Sequence, residues 1–189
     1  MNRAYPISIA TLAFANYLVR LRDKKVGTKH HTNMGSNMYS EYQNNPDTCS
    51  NEQWNILIVD DDIDVHAATE FALKGVRIHN RNINFSHAYS AREAIDWLKQ
   101  PPEKIDLILL DMVMEARDAG LKLAQWLHNQ TPSDDKPIVV LRTGQPGNLT
   151  IKEALATGLF DGLLEKSSVT FRHLVDFLNA MLAVKANQL

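Results

Sequence analysis

The chain has 189 residues, of which 44% are hydrophobic and 22% are charged, and its formal net charge is −2. This composition is typical of a globular protein with one compact domain, and the weak negative charge argues against broad electrostatic binding of nucleic acid. The single cysteine, Cys49, excludes an internal disulfide and suits the reducing cytoplasm, where we expect the protein to act.

Residues 1–53 differ in composition from the rest of the chain and are predicted to form an N-terminal extension. Its apolar run, residues 7–19, is shorter than the roughly 20 residues that cross a bilayer and is interrupted by polar side chains. We therefore predict no membrane span and assign a short amphipathic helix to residues 7–24. Residues 26–53 are polar and almost free of aliphatic side chains, which is typical of a flexible linker.

From Trp54 onward, short apolar runs alternate with segments of helical spacing. The apolar runs predict five strands, at residues 54–59, 83–87, 106–110, 137–141 and 161–164. Helical spacing and capping signals predict helices at residues 64–75, 90–100, 120–128, 150–158 and 169–184. In the first helix, Val65, Ala68, Phe71 and Ala72 share one apolar face.

The order of these elements predicts an α/β fold over residues 54–185. Strands that read as continuous apolar runs are typical of a parallel sheet covered by helices on both faces. Right-handed crossovers then give a doubly wound, three-layer α/β/α sandwich of the flavodoxin-like kind. For its five strands we expect the order 2-1-3-4-5, which is a common order for this fold.

Polar side chains follow the strands at their carboxyl ends. Asp60 and Asp61 follow the first strand, Asp111 the third, Thr143 the fourth and Lys166 the fifth. In a parallel sheet these ends lie on one rim, and with strands one and three adjacent the three aspartates meet. Carboxylates brought together repel each other unless a cation joins them, and hard oxygen ligands in small number suit Mg²⁺.

The same residues fit phosphoryl transfer. An aspartate carboxylate is a competent nucleophile towards phosphorus, while a metal ion and an ammonium group neutralise charge on the phosphoryl oxygens. Lys166 supplies the ammonium group, and Thr143 supplies a hydroxyl that can donate to a phosphoryl oxygen. An aspartate-nucleophile phosphohydrolase would need a second aspartate two residues after the nucleophile, where this chain has Val113.

Four motifs in order resemble the receiver domains of two-component response regulators, which are CheY-like in fold. They are ILIVDDD at 56–62, DLILLDMVM at 106–114, PIVVLRTG at 137–144 and DGLLEK at 161–166. The resemblance extends over about residues 54–185. It implies a signalling switch rather than a turnover enzyme, with a histidine kinase or phosphotransfer protein as phosphodonor and a downstream protein as partner.

The resemblance also implies a role for each motif residue. Asp111 would be the phosphoacceptor, and Asp60 and Asp61 would hold Mg²⁺ together with Asp111. The backbone carbonyl of Val113 would be a further metal ligand. Thr143 and Lys166 would be the switch hydroxyl and the lysine that pairs with the phosphoryl group.

A finer resemblance is to receivers that precede signalling output modules, including cyclic-di-GMP phosphodiesterases of the HD-GYP type. It is carried by four segments, DVHAATEFALKG, AYSAREA, DMVMEARDAGLKLAQWL and LRTGQPG. This likeness concerns the pathway and leaves the expected role of the chain unchanged.

The chain departs from the usual receiver pattern at several positions. Glu115 stands where a proline is usual, Leu163 where an aromatic residue reports phosphorylation, Ser167 where a proline is frequent and Gly144 where alanine is common. These departures leave an alternative open, namely a receiver-like module that binds its partner without phosphorylation. His66, one helical turn after the acids, is interpreted as a surface residue.

Overall fold

The structure, a computed structural model, describes residues 52–130, 136–144, 156–166 and 170–186. Its centre is a parallel sheet of five strands in the order β2-β1-β3-β4-β5. The strands are β1 (Gln53–Val59), β2 (Asn82–Ala88), β3 (Leu107–Asp111), β4 (Ile138–Thr143) and β5 (Gly162–Glu165). The predicted fold class and strand order are therefore confirmed.

Four described helices flank this sheet: α1 (Ile63–Leu73), α2 (Ala91–Lys99), α3 (Ala119–Gln130) and α4 (Phe171–Ala186). The predictions for residues 1–51 and for the start of a helix at residue 150 fall outside the described residues. Within the described ranges, no helix combines the length and the apolar character that crossing a bilayer requires.

Two apolar cores lie on opposite faces of the sheet because successive strand residues point to opposite sides. In β1, Ile56 and Ile58 face the core that includes residues of α4, whereas Leu57 and Val59 face the core that includes residues of α2 and α3. All four side chains are fully buried. Burial on both faces explains why the central strands read as unbroken apolar runs.

Side chains cap the first two helices at their N-termini. Asp62 accepts a hydrogen bond from the backbone N–H of Asp64 at 2.9 Å, and Ser90 accepts one from Glu93 at 3.1 Å. The carboxylate of Glu93 in turn accepts a hydrogen bond from the backbone N–H of Tyr89 at 2.7 Å. Both helices begin within one residue of the predicted starts, residues 64 and 90.

The buried face of α1 is not the apolar face that the sequence predicted. Phe71 is 82% exposed and Ala68 is also exposed, whereas His66, Thr69 and Leu73 are buried. The helix is turned in this way because the polar atoms of His66 and Thr69 find hydrogen-bond partners under the sheet rim. A buried polar group with partners avoids most of its desolvation cost.

Gly120 permits a close approach between α3 and the end of β3. A Cβ atom at this position would lie 2.1 Å from the backbone oxygen of Asp111. The N–H of Gly120 also donates to the carbonyl oxygen of Met112 at 3.1 Å. Because Gly120 has no side chain, the start of α3 can pack closely against the segment that follows Asp111.

Gly120→Ala is expected to destabilise the fold by about 2 kcal/mol or more, since the added methyl group meets backbone that cannot move aside. Urea unfolding measures this loss. Gly144→Ala is the matched control, because among the described residues the nearest atom to its Cβ would be Cδ of Lys166 at 3.9 Å. Equal stability of the two variants would contradict the close approach.

Candidate functional site

Functional side chains predicted from the sequence meet at the carboxyl edge of the sheet. Asp60 directly follows β1, Asp111 ends β3, Thr143 ends β4 and Lys166 directly follows β5. Strands β1 and β3 are hydrogen-bonded neighbours, which places Asp60 beside Asp111. The backbone N–H of Lys166 donates to the carbonyl oxygen of Thr143 at 2.8 Å, so the ends of β4 and β5 are also joined.

Three carboxylates form the acidic pocket, which we define as Asp60, Asp61 and Asp111. One oxygen from each lies within 4.8 Å of the other two. Asp60 is 1% exposed and Asp111 is 7% exposed, whereas Asp61 lies at the surface. Two carboxylates of the pocket are therefore inside the protein, where like charges repel more strongly than in water.

Lys166 bridges the two buried carboxylates. Its Nζ atom lies 2.7 Å from Oδ2 of Asp60 and 3.2 Å from Oδ1 of Asp111. The contact with Asp60 is a close charge pair rather than an aligned hydrogen bond, since Oδ2 has no hydrogen-bond partner among the described residues. The other oxygen of Asp60 accepts from the backbone N–H of Asp62 at 3.1 Å.

One ammonium group does not fully stabilise the charge on Asp111. Burial raises the pKa of Asp111 above its usual range; Lys166 opposes this increase, and the like charge of Asp60 adds to it. The ionised pocket thus has a deficit of positive charge. Clustered carboxylate oxygens with such a deficit fit a hard divalent cation, and Asp60, Asp61 and Asp111 are the residues that could hold it.

Thr143 lies at the end of β4, which pairs with β3, and Val113 lies in the segment that follows β3. Thr143 is paired with Glu165 across β4 and β5 and is partly exposed. Val113 lies two residues after Asp111, and its side chain is about half exposed. The hydroxyl role of Thr143 and the metal contact of the Val113 carbonyl remain predictions.

Arg142 is a residue of this site that the sequence interpretation missed. It is paired in register with Asp111, and its side chain is buried, with Nη1 donating to the hydroxyl of Thr69 at 2.8 Å. Burial lowers the pKa of Arg142, while the charges of Asp60 and Asp111 raise it. The available signal was an arginine at the end of an apolar strand, just before a candidate functional threonine.

His66 also belongs to the site, so its interpretation as a surface residue is wrong. The side chain is buried, and its Nε2 lies 2.8 Å from the backbone oxygen of Asp60. Because a carbonyl oxygen only accepts, Nε2 is the donor in this contact. Nδ1 of His66 lies 2.8 Å from Nδ1 of His87, whose Nε2 lies 2.8 Å from the Glu70 carboxylate. The first contact restrains the backbone of Asp60, and the other two fix the ring of His66 through His87 and Glu70.

Glu115 connects the loop after β3 to α2. Both oxygens of its carboxylate lie near the backbone N–H of Ala91, at 3.1 and 3.3 Å. Ala91 is the first residue of α2, and an N–H at this position has no partner inside the helix. The residue that replaces the usual proline therefore acts as an additional cap and restrains the segment next to Asp111.

A comparison with protein families matches residues 56–178 to the response regulator receiver domain. Among curated proteins, the chain is similar to the 3'3'-cGAMP-specific phosphodiesterase 2 of Vibrio cholerae, with 33% identity over 133 residues. That match covers 70% of this chain and 25% of the relative, so the chain spans about a quarter of the relative's length.

Solved structures give the same result. A two-component response regulator from Clostridium difficile is 28% identical, with a TM-score of 0.55, and the match covers 69% of this chain and 97% of that one. The signal receiver domain of an HD domain-containing protein from Pseudomonas fluorescens Pf-5 has 23% identity and a TM-score of 0.58. This second match covers 75% of this chain and 94% of that one. At this identity the second structure shows the fold alone. The family match confirms the resemblance to response-regulator receivers, and the similarity to the phosphodiesterase agrees with the finer likeness to receivers that precede output modules.

Asp111→Asn is expected to stabilise the protein in metal-free buffer at pH 7. Because the folded state raises the pKa of Asp111, stability falls as the pH rises from the unfolded value of about 3.9 to the folded value. The neutral amide removes this cost, so the gain should vanish as the pH approaches the unfolded value. Thermal unfolding with a chelator measures it across pH.

Asp61→Asn is the control for this stabilisation, since Asp61 lies in the same pocket but is exposed. Its removal should produce a smaller gain. If metal-free Asp111→Asn is less stable than wild type at pH 7, burial of the ionised Asp111 carboxylate does not destabilise the fold, and the prediction is contradicted.

Glu115→Ala is expected to cost about 1 kcal/mol, because the N–H of Ala91 loses its acceptor. Glu115→Gln keeps an oxygen at the same place and should retain most of this contribution. Urea unfolding of both variants measures the difference. If alanine is as stable as glutamine at this position, the capping role is refuted.

Proposed function

The chain belongs to the response regulator receiver domain family, and we propose from this membership that it is a phosphorylation-dependent signalling switch of a two-component system. The observation that carries the proposal is the meeting of Asp60, Asp111 and Lys166, with Nζ of the lysine between two buried carboxylates. Acids held together at the cost of repulsion are typical of functional sites.

Asp111 is the phosphoacceptor in this proposal. A carboxylate oxygen of Asp111 attacks the phosphorus of a phosphohistidine on a histidine kinase or phosphotransfer protein. The P–N bond breaks, and the departing imidazole carries the electron pair and takes up a proton from solvent. The product is an acyl phosphate on Asp111. Lys166 is close enough to pair with a phosphoryl oxygen, and the hydroxyl of Thr143 donates to another.

The proposed cofactor is Mg²⁺, bound by Asp60, Asp61, Asp111 and the backbone carbonyl of Val113. The clustering of three carboxylate oxygens within 4.8 Å supports it. Bound Mg²⁺ would supply positive charge at the transferring phosphoryl group. Asp60 contributes a buried, backbone-held oxygen, since its other oxygen and its carbonyl are engaged by Asp62 and His66.

The output of the switch is proposed to be a change in protein binding. The unit that switches would be residues 54–185, preceded by an extension at 1–53, and it would act in the cytoplasm where kinases supply phosphoryl groups. We propose that it regulates a signalling output module. The supporting observation is its similarity to about a quarter of a 3'3'-cGAMP-specific phosphodiesterase. Hydrolysis of a nucleotide by this chain itself is not part of the proposal.

Acetyl phosphate and Mg²⁺ should add one phosphoryl group to the intact protein, as measured by mass spectrometry. Asp111→Asn should abolish the gain, because the amide is not a nucleophile. Chelation of Mg²⁺ should reduce it by at least about tenfold, since the transferring charge is no longer neutralised.

Asp62→Asn is the matched control, since Asp62 is an exposed helix cap next to the pocket and the amide still caps α1. This variant should be phosphorylated like wild type. A phosphoryl group that persists in Asp111→Asn would overturn the assignment of the acceptor. No phosphorylation of wild type, together with unchanged partner binding in Asp111→Asn, would favour a phosphorylation-independent binding module.

A further inference from the structure

The buried guanidinium of Arg142 lies next to the acidic pocket and has no part in the reaction described above. Arg142 is paired in register with Asp111, one residue before Thr143. In β4, Val140 packs in the core beneath α4, and Arg142, two residues later, points to the same face. Its contact with Thr69 of α1 confirms that direction.

The Arg142 head group is held in place by α1. Nη1 donates to the hydroxyl of Thr69 at 2.8 Å, and that hydroxyl donates to the backbone oxygen of Val65 at 2.6 Å. The residue is 7% exposed. Lys166, by contrast, is partly exposed and reaches the pocket on a flexible stem. Arg142 is therefore the less movable of the two cations.

The hydrogen bonds of Arg142 do not account for its burial. Nε is buried and has no hydrogen-bond partner among the described residues, and Thr69 is a neutral acceptor. Guanidinium remains protonated in proteins, and a buried charge needs opposite charge nearby. Asp60 and Asp111 are the carboxylates whose fields favour its charged form. The arginine and the acidic pocket therefore stabilise each other.

We propose that Arg142 is a built-in counter-cation of the acidic pocket, which neutralises part of its charge from inside the fold and thereby weakens its affinity for a divalent cation. The inference rests on the proposed function in so far as the pocket binds such a cation. Among the described residues, the three carboxylates of the pocket are accompanied by two cations, Arg142 and Lys166; without Arg142, Lys166 is the one of these two that remains.

The charge of Arg142 should lower the affinity of the pocket for Mg²⁺. A fixed positive charge repels an incoming divalent ion, and burial weakens the screening of this repulsion by water and salt. Removal of the charge should therefore tighten Mg²⁺ binding. A purely structural arginine predicts the opposite, because its loss would loosen the pocket and weaken binding.

Calorimetric titration of the unphosphorylated full chain with Mg²⁺ tests the proposal. Arg142→Gln keeps a donor for Thr69 but removes the charge, and it should bind Mg²⁺ about tenfold more tightly than wild type. Arg142→Met should show the same direction. Arg142→Lys retains the charge and should stay within about threefold of wild type.

Thr69→Val tests whether the charge of Arg142 or its hydrogen bond matters. It removes the hydroxyl that accepts from the guanidinium but keeps the positive charge. It should bind Mg²⁺ with nearly wild-type affinity. Thermal unfolding with and without Mg²⁺ provides a second measurement if Arg142→Met is poorly stable, because the stabilisation by Mg²⁺ should then be larger than in wild type.

Equal or weaker Mg²⁺ binding by Arg142→Gln would overturn the role of Arg142. That result leaves the proposed function intact if wild type still binds the ion and is phosphorylated on Asp111. Absence of Mg²⁺ binding in wild type and in Arg142→Gln would overturn both proposals. Binding in Arg142→Gln alone would support the counter-cation and remove Mg²⁺ from the proposed function of the wild-type chain.

Discussion

The burial of two carboxylates side by side is the constraint on which the site depends. Asp60 and Asp111 lie at the ends of adjacent parallel strands, where the main chain brings them together and the protein interior withdraws them from water. Charges in this environment repel strongly unless cations are close. Lys166 on one side and Arg142 beneath supply positive charge, and the raised pKa of Asp111 shows that the compensation is incomplete.

Several contacts around the pocket hold its backbone, in addition to those that Asp62 and Lys166 make with the carboxylates. His66 fixes the carbonyl of Asp60, and Gly120 lets α3 pack against the backbone of Asp111. Glu115 restrains the following loop through α2. Such contacts leave the carboxylate oxygens available to a metal ion and a phosphoryl group while keeping their separation constant. Preorganised charge of this kind stabilises charge that develops during a reaction.

The departures from the usual receiver pattern differ in their structural consequences. Glu115 gains a specific contact, so the loss of the usual proline is accompanied by another restraint on the same loop. Leu163 lies in β5 and packs partly buried against both cores, so an aliphatic side chain occupies the place of the aromatic reporter. A response to phosphorylation would then have to be carried by other groups, among which Lys166 already contacts two carboxylates.

The strand order 2-1-3-4-5 was expected because it is common for this fold, and the pairing of the strands in the structure established it. The sequence by itself determined the five strands and the rim on which Asp60, Asp61, Asp111 and Lys166 lie. These follow from apolar runs and from the position of polar residues directly after them, which are local properties of the chain. The tertiary structure alone decided that α1 buries His66 and Thr69 instead of Phe71, and that Arg142 lies beneath the pocket. A polar side chain is buried where it finds hydrogen-bond partners, and these can be distant in sequence, as Thr69 and Arg142 are. The local spacing of apolar residues cannot predict such pairs.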